Sequence, residues 1–327
     1  MGRRICELAP ETLVISSPHS IMYRDYLHIS PGSAASGDFG QFGAPEARHS
    51  VRYDEAFVSS LGAAAAADDL AAGTEGEQDP ALDHATMVPL HFIEEAYREA
   101  GRDMDFRVVR IGLSGLSPTA HYRLGTLIQR VADVLGRRVT YVASGDLSHR
   151  LTKDGPYGFA PEGPEFDRIA CDAFLSGDFL PLLGMSPRLA ERAAECGLRS
   201  FQMMAGALDQ TEIHPELLSY EGPFGVGYAV AAFTPCGPER SCPKRDYLNV
   251  YEKARAHEQS ERRASEDPYV RLARLSLETH VRDGGRTRLP DDLPKDLTLP
   301  DELATTQAGC FVSLKKDGAE PDRKSVV

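Results

Sequence analysis

The 327-residue chain has no Cys-x-x-Cys pair among its six cysteines, no apolar run long enough to cross a bilayer, and no surplus of basic side chains. Each absence excludes a class of function. Scattered cysteines (Cys6, Cys171, Cys196, Cys236, Cys242, Cys310) suit reduced thiols and argue against a zinc ribbon, so a metal would have to lean on histidine and carboxylate. Without a run of about 18 apolar residues there is no candidate membrane span. The opening MGRRICELAPETLVISSPH lacks the long apolar segment and small-residue cleavage site of a signal peptide, so the expected compartment is cytoplasmic. Subtracting 49 acidic from 36 basic side chains leaves a net charge of −13, which disfavours a nucleic-acid backbone or an anionic membrane as the principal partner. What is present, 42% hydrophobic residues in a chain of this length, is enough for two domains or one large one.

The pattern of apolar residues points to an α/β fold, a mainly parallel sheet flanked by helices. Thr12 to Ser17 (TLVISS) reads as a buried parallel strand that ends at Ser-Pro-His19. Arg107 to Leu113 and Arg138 to Ser144 repeat the pattern, with helical spacing over Thr119 to Leu135 between them, which makes a βαβ unit. After Ser144 comes Gly-Asp146-Leu-Ser148-His149, so a second histidine follows a strand end, where open α/β sheets build their sites. Helical patterns follow at Pro164 to Ser176, Pro187 to Glu195 and Leu198 to Leu208, then a terminal strand pair at Leu217 to Tyr220 and Gly225 to Phe233. These boundaries give a domain over 1–233, an exposed Pro/Gly/charge-rich linker over 234–245, and a final segment over 246–327. That segment is charged helix former interrupted by Pro268, ending in a strand candidate at Gly309 to Leu314. The alanine-rich stretch Gly62 to Gly73 reads as a surface helix. Gly37 to Gly40 (GDFG) lacks the Lys-Ser/Thr or catalytic-loop context of a phosphate or kinase loop, and reads as a glycine turn shaping a site entrance. Pro156 to Phe166 reads as a substrate-side loop whose aromatics either line a pocket or merely pack.

Three histidines sit among Pro, Gly, Ser and Asp: His19 in SPHSIMYRD, His84 in LDHATMVPL and His149 in ASGDLSHRL. A non-haem iron site needs neutral imidazoles and an anionic ligand with open positions, plus an unligated acid/base, and histidine supplies either. These pieces, with Glu195-Cys196-Gly-Leu-Arg and Gly225-Val-Gly-Tyr, resemble the LigB-type class III extradiol ring-cleaving dioxygenases and the related Memo-like proteins, from about Thr12 to Phe233. The resemblance implies an oxidoreductase that incorporates O2 into a small aromatic substrate using Fe(II) or another divalent metal. It makes His19 a metal ligand and either Cys196 or Glu195 the anionic one. His149 becomes the acid/base and His84 a catalytic residue that supports the metal ligands or orients the substrate, with Asp146 and Ser148 on the substrate side. It also implies a further histidine ligand on an earlier strand, which the eleven residues before Thr12 do not contain, so an open strand edge and weak iron binding are expected. His49 and His28 are the candidate replacements, while His91 and His121 read as solvent-facing or interface residues.

Asp267-Pro-Tyr-Val-Arg-Leu-Ala-Arg and Cys310-Phe-Val-Ser-Leu-Lys-Lys resemble the start of an AMMECR-type domain, here an incomplete, truncated α+β segment. Fusions of this kind are AmmeMemoRadiSam system proteins. The second expectation is therefore a metal-binding protein that does not cleave rings and acts with a radical-SAM partner. A third makes Cys196 a nucleophile with a histidine base. Asp322 to Val327 (DRKSVV) reads as foreign to the family, so the chain is expected to be a fragment of a longer protein. Whether it forms a homo-oligomer stays open.

Overall fold

A computed structural model of the chain describes residues 1–237, 240–288 and 291–306, in two compact units, Met1–Tyr251 and Glu252–Val327. In chain order the first unit contains α1 (Gly2–Leu8), β1 (Thr12–Ser17), β2 (Leu27–His28), β3 (Ala34–Phe39), β4 (Ala44–Arg52), α2 (Glu55–Ala67), β5 (Ala72–Gly73) and α3 (His84–Glu99). It continues with β6 (Arg107–Gly112), α4 (Pro118–Leu135), β7 (Val139–Ala143), α5 (Glu162–Ser176), α6 (Leu180–Leu183), α7 (Pro187–Ala193), α8 (Leu198–Ala207), β8 (Ile213–Glu221) and β9 (Tyr228–Pro235). Helix α9 (Tyr247–Ala264) carries the chain from the first unit into the second, where α10 (Pro268–Asp283) and α11 (Glu302–Thr305) follow.

The central sheet is parallel with strand order β6-β1-β7. Every residue of β1 is buried, and pleating divides them between two cores. Val14 packs with Phe57, Leu61, Leu124 and Ile128 from α2 and α4. Leu13 and Ile15 pack on the other face with Leu90, Ile93 and Tyr97 of α3. The βαβ unit read from the sequence is therefore present. Its helix is bounded by the Ser117 hydroxyl, which accepts from Ala120 N at 3.2 Å, and by Gly136 in the left-handed region. β8 and β9 form the expected terminal pair, antiparallel.

The structure corrects several expectations. A hairpin over β3 and β4 was not legible, because its strands carry Ala, Gly and charged residues instead of a β-branched run. The alanine-rich stretch is helical only as far as Ala67 and buries Leu61 and Ala65. The stretch read as an exposed linker packs onto the first unit: Cys242 N donates to Gln210 O at 2.9 Å, and Arg245 lies over the Phe179 and Tyr247 rings at 5.0 and 5.3 Å. Among its described residues the second unit holds helix and no strand. The strand candidate Gly309 to Leu314, the Cys310 motif and Asp322 to Val327 lie outside the described residues.

His121 is fully buried, not solvent-facing. Its Nε2 accepts from Ser114 N at 3.3 Å and its Nδ1 lies 3.0 Å from Ser117 O, a pattern that fits only the neutral ring. Burial pushes its pKa down from 6.5 to about 4. Between those two values the unfolded chain binds the proton and the folded chain does not, so stability falls as the pH is lowered through this window. Urea unfolding of the wild type should show a plateau above pH 6.5 and a loss of up to about 3 kcal/mol by pH 4 from this group. His121→Gln should be less stable throughout and lack that part of the slope.

Candidate functional site

The site forms where β1 and β7 end. Beyond Ser17 the chain turns through Pro18, and the Ser17 hydroxyl accepts from His19 N at 3.2 Å while donating to Asp83 Oδ1 at 2.5 Å. Asp83 is also the N-cap of α3, accepting from Thr86 N at 2.9 Å and from the Thr86 hydroxyl at 2.8 Å. One carboxylate thus ties the strand end to the helix start, and His19 and His84, the residues beside that tie, pack together with ring centroids 4.1 Å apart and planes tilted by 36°. Beyond β7, the Ser144 hydroxyl donates to Ala85 O at 2.7 Å, bringing the Gly145 to His149 loop to the same helix turn.

That loop meets the turn between α7 and α8. Asp146 N donates to Cys196 Sγ at 3.2 Å, Gly197 N to Asp146 O at 3.0 Å, and His149 N to Ala193 O at 3.0 Å. The approach requires glycine on both sides: a Cβ on Gly145, whose φ is +150°, would stand 2.3 Å from Gly197 Cα. Below the loop the Ser16 and Ser200 hydroxyls bond to each other, and Tyr141 donates to Ser16 Oγ at 2.7 Å, so β1, β7 and α8 are pinned together.

The ligand atoms of Asp146, His149 and Cys196 all lie within 4.8 Å of one another, the one such triplet among the described residues. His149 Nε2 is buried without a hydrogen-bond partner, yet sits 3.3 Å from Asp146 Oδ2. Two donors at that separation are what neighbouring positions on an ion with bonds of about 2 Å require. The thiol and carboxylate of this triplet, with one of the neighbouring imidazoles, suit a late first-row divalent ion, so the donors present fit a metal. Burial pushes the Cys196 thiol up to about 12, and burial followed by the neighbouring His84 holds His19 below the usual imidazole range. His19 also lies in the electrostatic field of Asp146 and His149, which joins the two halves of the site.

Of the candidates from the sequence, His19, His84, Asp146, His149 and Cys196 converge. Glu195 does not join the metal-ligand triplet: its carboxylate accepts from Leu198 N at 2.6 Å at the start of α8. Ser148 is fully buried and its hydroxyl donates to Ala193 O at 3.0 Å, so it braces the loop instead of meeting substrate. His49 pairs with Glu94 at 2.9 Å and stands edge-on to His91, while His28 lies 3.9 Å from Glu77, both outside the triplet. Two exposed aromatics join the site: Phe42, edge-on to His84 at 5.3 Å, and Tyr157, stacked on His149 at 5.0 Å. Their segments were legible as a glycine turn and a substrate-side loop; their individual contacts were not.

A family model described as the catalytic LigB subunit of aromatic ring-opening dioxygenase matches residues 1–231. The chain belongs to the LigB family. A Clostridium acetobutylicum relative named Protein CA_C1420 is 32% identical to it over 97% of this chain, which spans 66% of that protein's length.

The backbone contact at Gly145 generates a test. Gly145→Ala should cost about 1–3 kcal/mol in urea unfolding, since neither its dihedral nor Gly197 can give way. Gly62→Ala, in α2 with nothing within 4 Å of the new Cβ, should be neutral or stabilise by up to about 1 kcal/mol.

Proposed function

We propose that this chain is the catalytic part of an extradiol-type dioxygenase that opens a catechol-like ring with O2 at a non-haem Fe(II) site, another divalent ion being the substitute. The observation that carries the reading is the convergence of His19, His84, Asp146, His149 and Cys196 at the ends of β1 and β7 in a LigB-family chain. His19 and Cys196 would hold the ion, with the Asp146 carboxylate beside the thiol. Such an ion, when bound, supplies adjacent open positions for a catecholate and O2.

The chain's own groups do the rest. Burial and His84 keep His19 neutral near pH 7, the form that offers a lone pair. His149 is the acid/base for the substrate hydroxyl: a proton taken up at Nε2 faces the Asp146 carboxylate 3.3 Å away, which stabilises the imidazolium. His84 braces His19 from its other side.

A second reading rests on Cys196. A thiol as the anionic ligand suits a metal-binding protein that does not cleave rings and works with a radical-SAM partner in an AmmeMemoRadiSam system. An oxygen electrode and a catechol panel separate the two: O2 uptake coupled to ring opening supports the first, and metal binding with no turnover of any catechol supports the second.

Because the buried Cys196 must release its proton to bind, iron affinity should rise with pH across the neutral range. Cys196→Ser should weaken iron binding by more than about 100-fold and flatten that dependence. His19→Ala should lose comparable affinity, while His149→Gln should keep the iron and lose turnover. Metal analysis after dialysis at controlled pH, with the O2-uptake rate of each variant, checks all three. Iron loss in His149→Gln as complete as in Cys196→Ser would move His149 among the ligands.

A further inference from the structure

The polar floor of the site is flanked by aromatic side chains that stand more than half exposed. Phe42 sits in the short 3-10 turn Gly40–Phe42 at the tip of the β3–β4 hairpin, next to Gly43 in the left-handed region. It is 61% exposed, and its ring stands edge-on to His84. The hairpin is held from behind: Phe39 packs edge-on against buried His49, which Glu94 anchors to α3. Phe42 is thus presented on a braced arm. Opposite it in the sequence of contacts, Tyr157 is 57% exposed and stacks on His149.

Exposed aromatic rings grouped at the border of a polar site mark a place for a bound apolar group. Here each of the two best-defined rings touches a different imidazole, and the imidazoles border the candidate donor atoms. A flat ring bound between them would gain offset or edge contacts on both sides, while its polar substituents faced the floor. We infer that Phe42 and Tyr157 are the specificity-determining walls of the site and select a planar aromatic ring. This rests on the ring-opening reading and goes beyond it, since it assigns ring recognition to side chains other than the donor set.

The test uses the full iron-loaded chain under anaerobic conditions and two coloured probes: 4-nitrocatechol, and 4-nitroanisole, a similar ring without the diol. Phe42→Ala and Tyr157→Ala should each weaken 4-nitrocatechol binding about tenfold, with bound iron equal to the wild type. Phe42→Tyr and Tyr157→Phe should keep wild-type affinity, because the ring and not the hydroxyl does the work. In turnover the two alanine variants should raise KM by more than they lower kcat. Wild-type binding of 4-nitrocatechol that both alanine variants retain within twofold overturns the inference and leaves the ring-opening reading standing. Loss of iron in either alanine variant also overturns it, since that residue would then be structural. Equal wild-type affinity for the two probes, weakened in both alanine variants, upholds the aromatic walls and removes the diol-specific reading instead.

Discussion

The Asp83 carboxylate fastens the site together. It accepts from Ser17 at the end of the central strand and from Thr86 in the first turn of α3, and it lies 3.9 Å from the guanidinium of Arg110 on β6. Arg110 is itself 1% exposed, and such a buried charge persists only with partners around it. Ser30 Oγ at 2.7 Å, Glu77 at 3.7 Å and the carbonyls of Ala81 and Asp79 supply the others. Two strand ends and a helix start therefore share one ionic knot, and the His19–His84 pair is a consequence of being attached beside it.

Glu195 and Cys196 show how neighbouring residues divide structural from chemical work. At the start of α8 the unpaired N–H groups draw a carboxylate, and Glu195 spends its oxygen there. Burial raises the pKa of Glu195, while the N–H bond it accepts opposes that rise. Cys196, one residue on, accepts from Asp146 N and turns its sulfur to the loop that carries His149. Spacing alone cannot separate the two, because the decision lies in backbone direction at a helix terminus.

Legibility followed the same boundary between pattern and contact. TLVISS, RVVRIG and the helix between β6 and β7 announce themselves by period and β-branching, and the histidines that follow β1 and β7 inherit their position from strand ends. His84 was placed by the same motif reading, and its company with His19 holds in three dimensions. The hairpin was missed because register between small and charged residues leaves no hydrophobic alternation. Arg245 ends a stretch whose proline, glycine and charge read as an exposed linker, whereas two aromatic rings and Gly177 O make a buried place for it. His121 hid in the same way, a polar residue satisfied inside the core by the turn that begins its own helix.

The contact of Gly145 with Gly197 makes one body of the loop carrying Asp146 and His149 and the turn carrying Cys196, just as Asp83 makes one body of His19 and His84. Two rigid jaws meet at the mouth, and the side chains at their lips hang from a hairpin tip and an exposed turn whose packing does not depend on them. Evolution can therefore alter what the mouth accepts by exchanging lip residues one at a time, with the donor geometry insulated from each trial. A fold arranged in this way is suited to diversify its substrates faster than its chemistry.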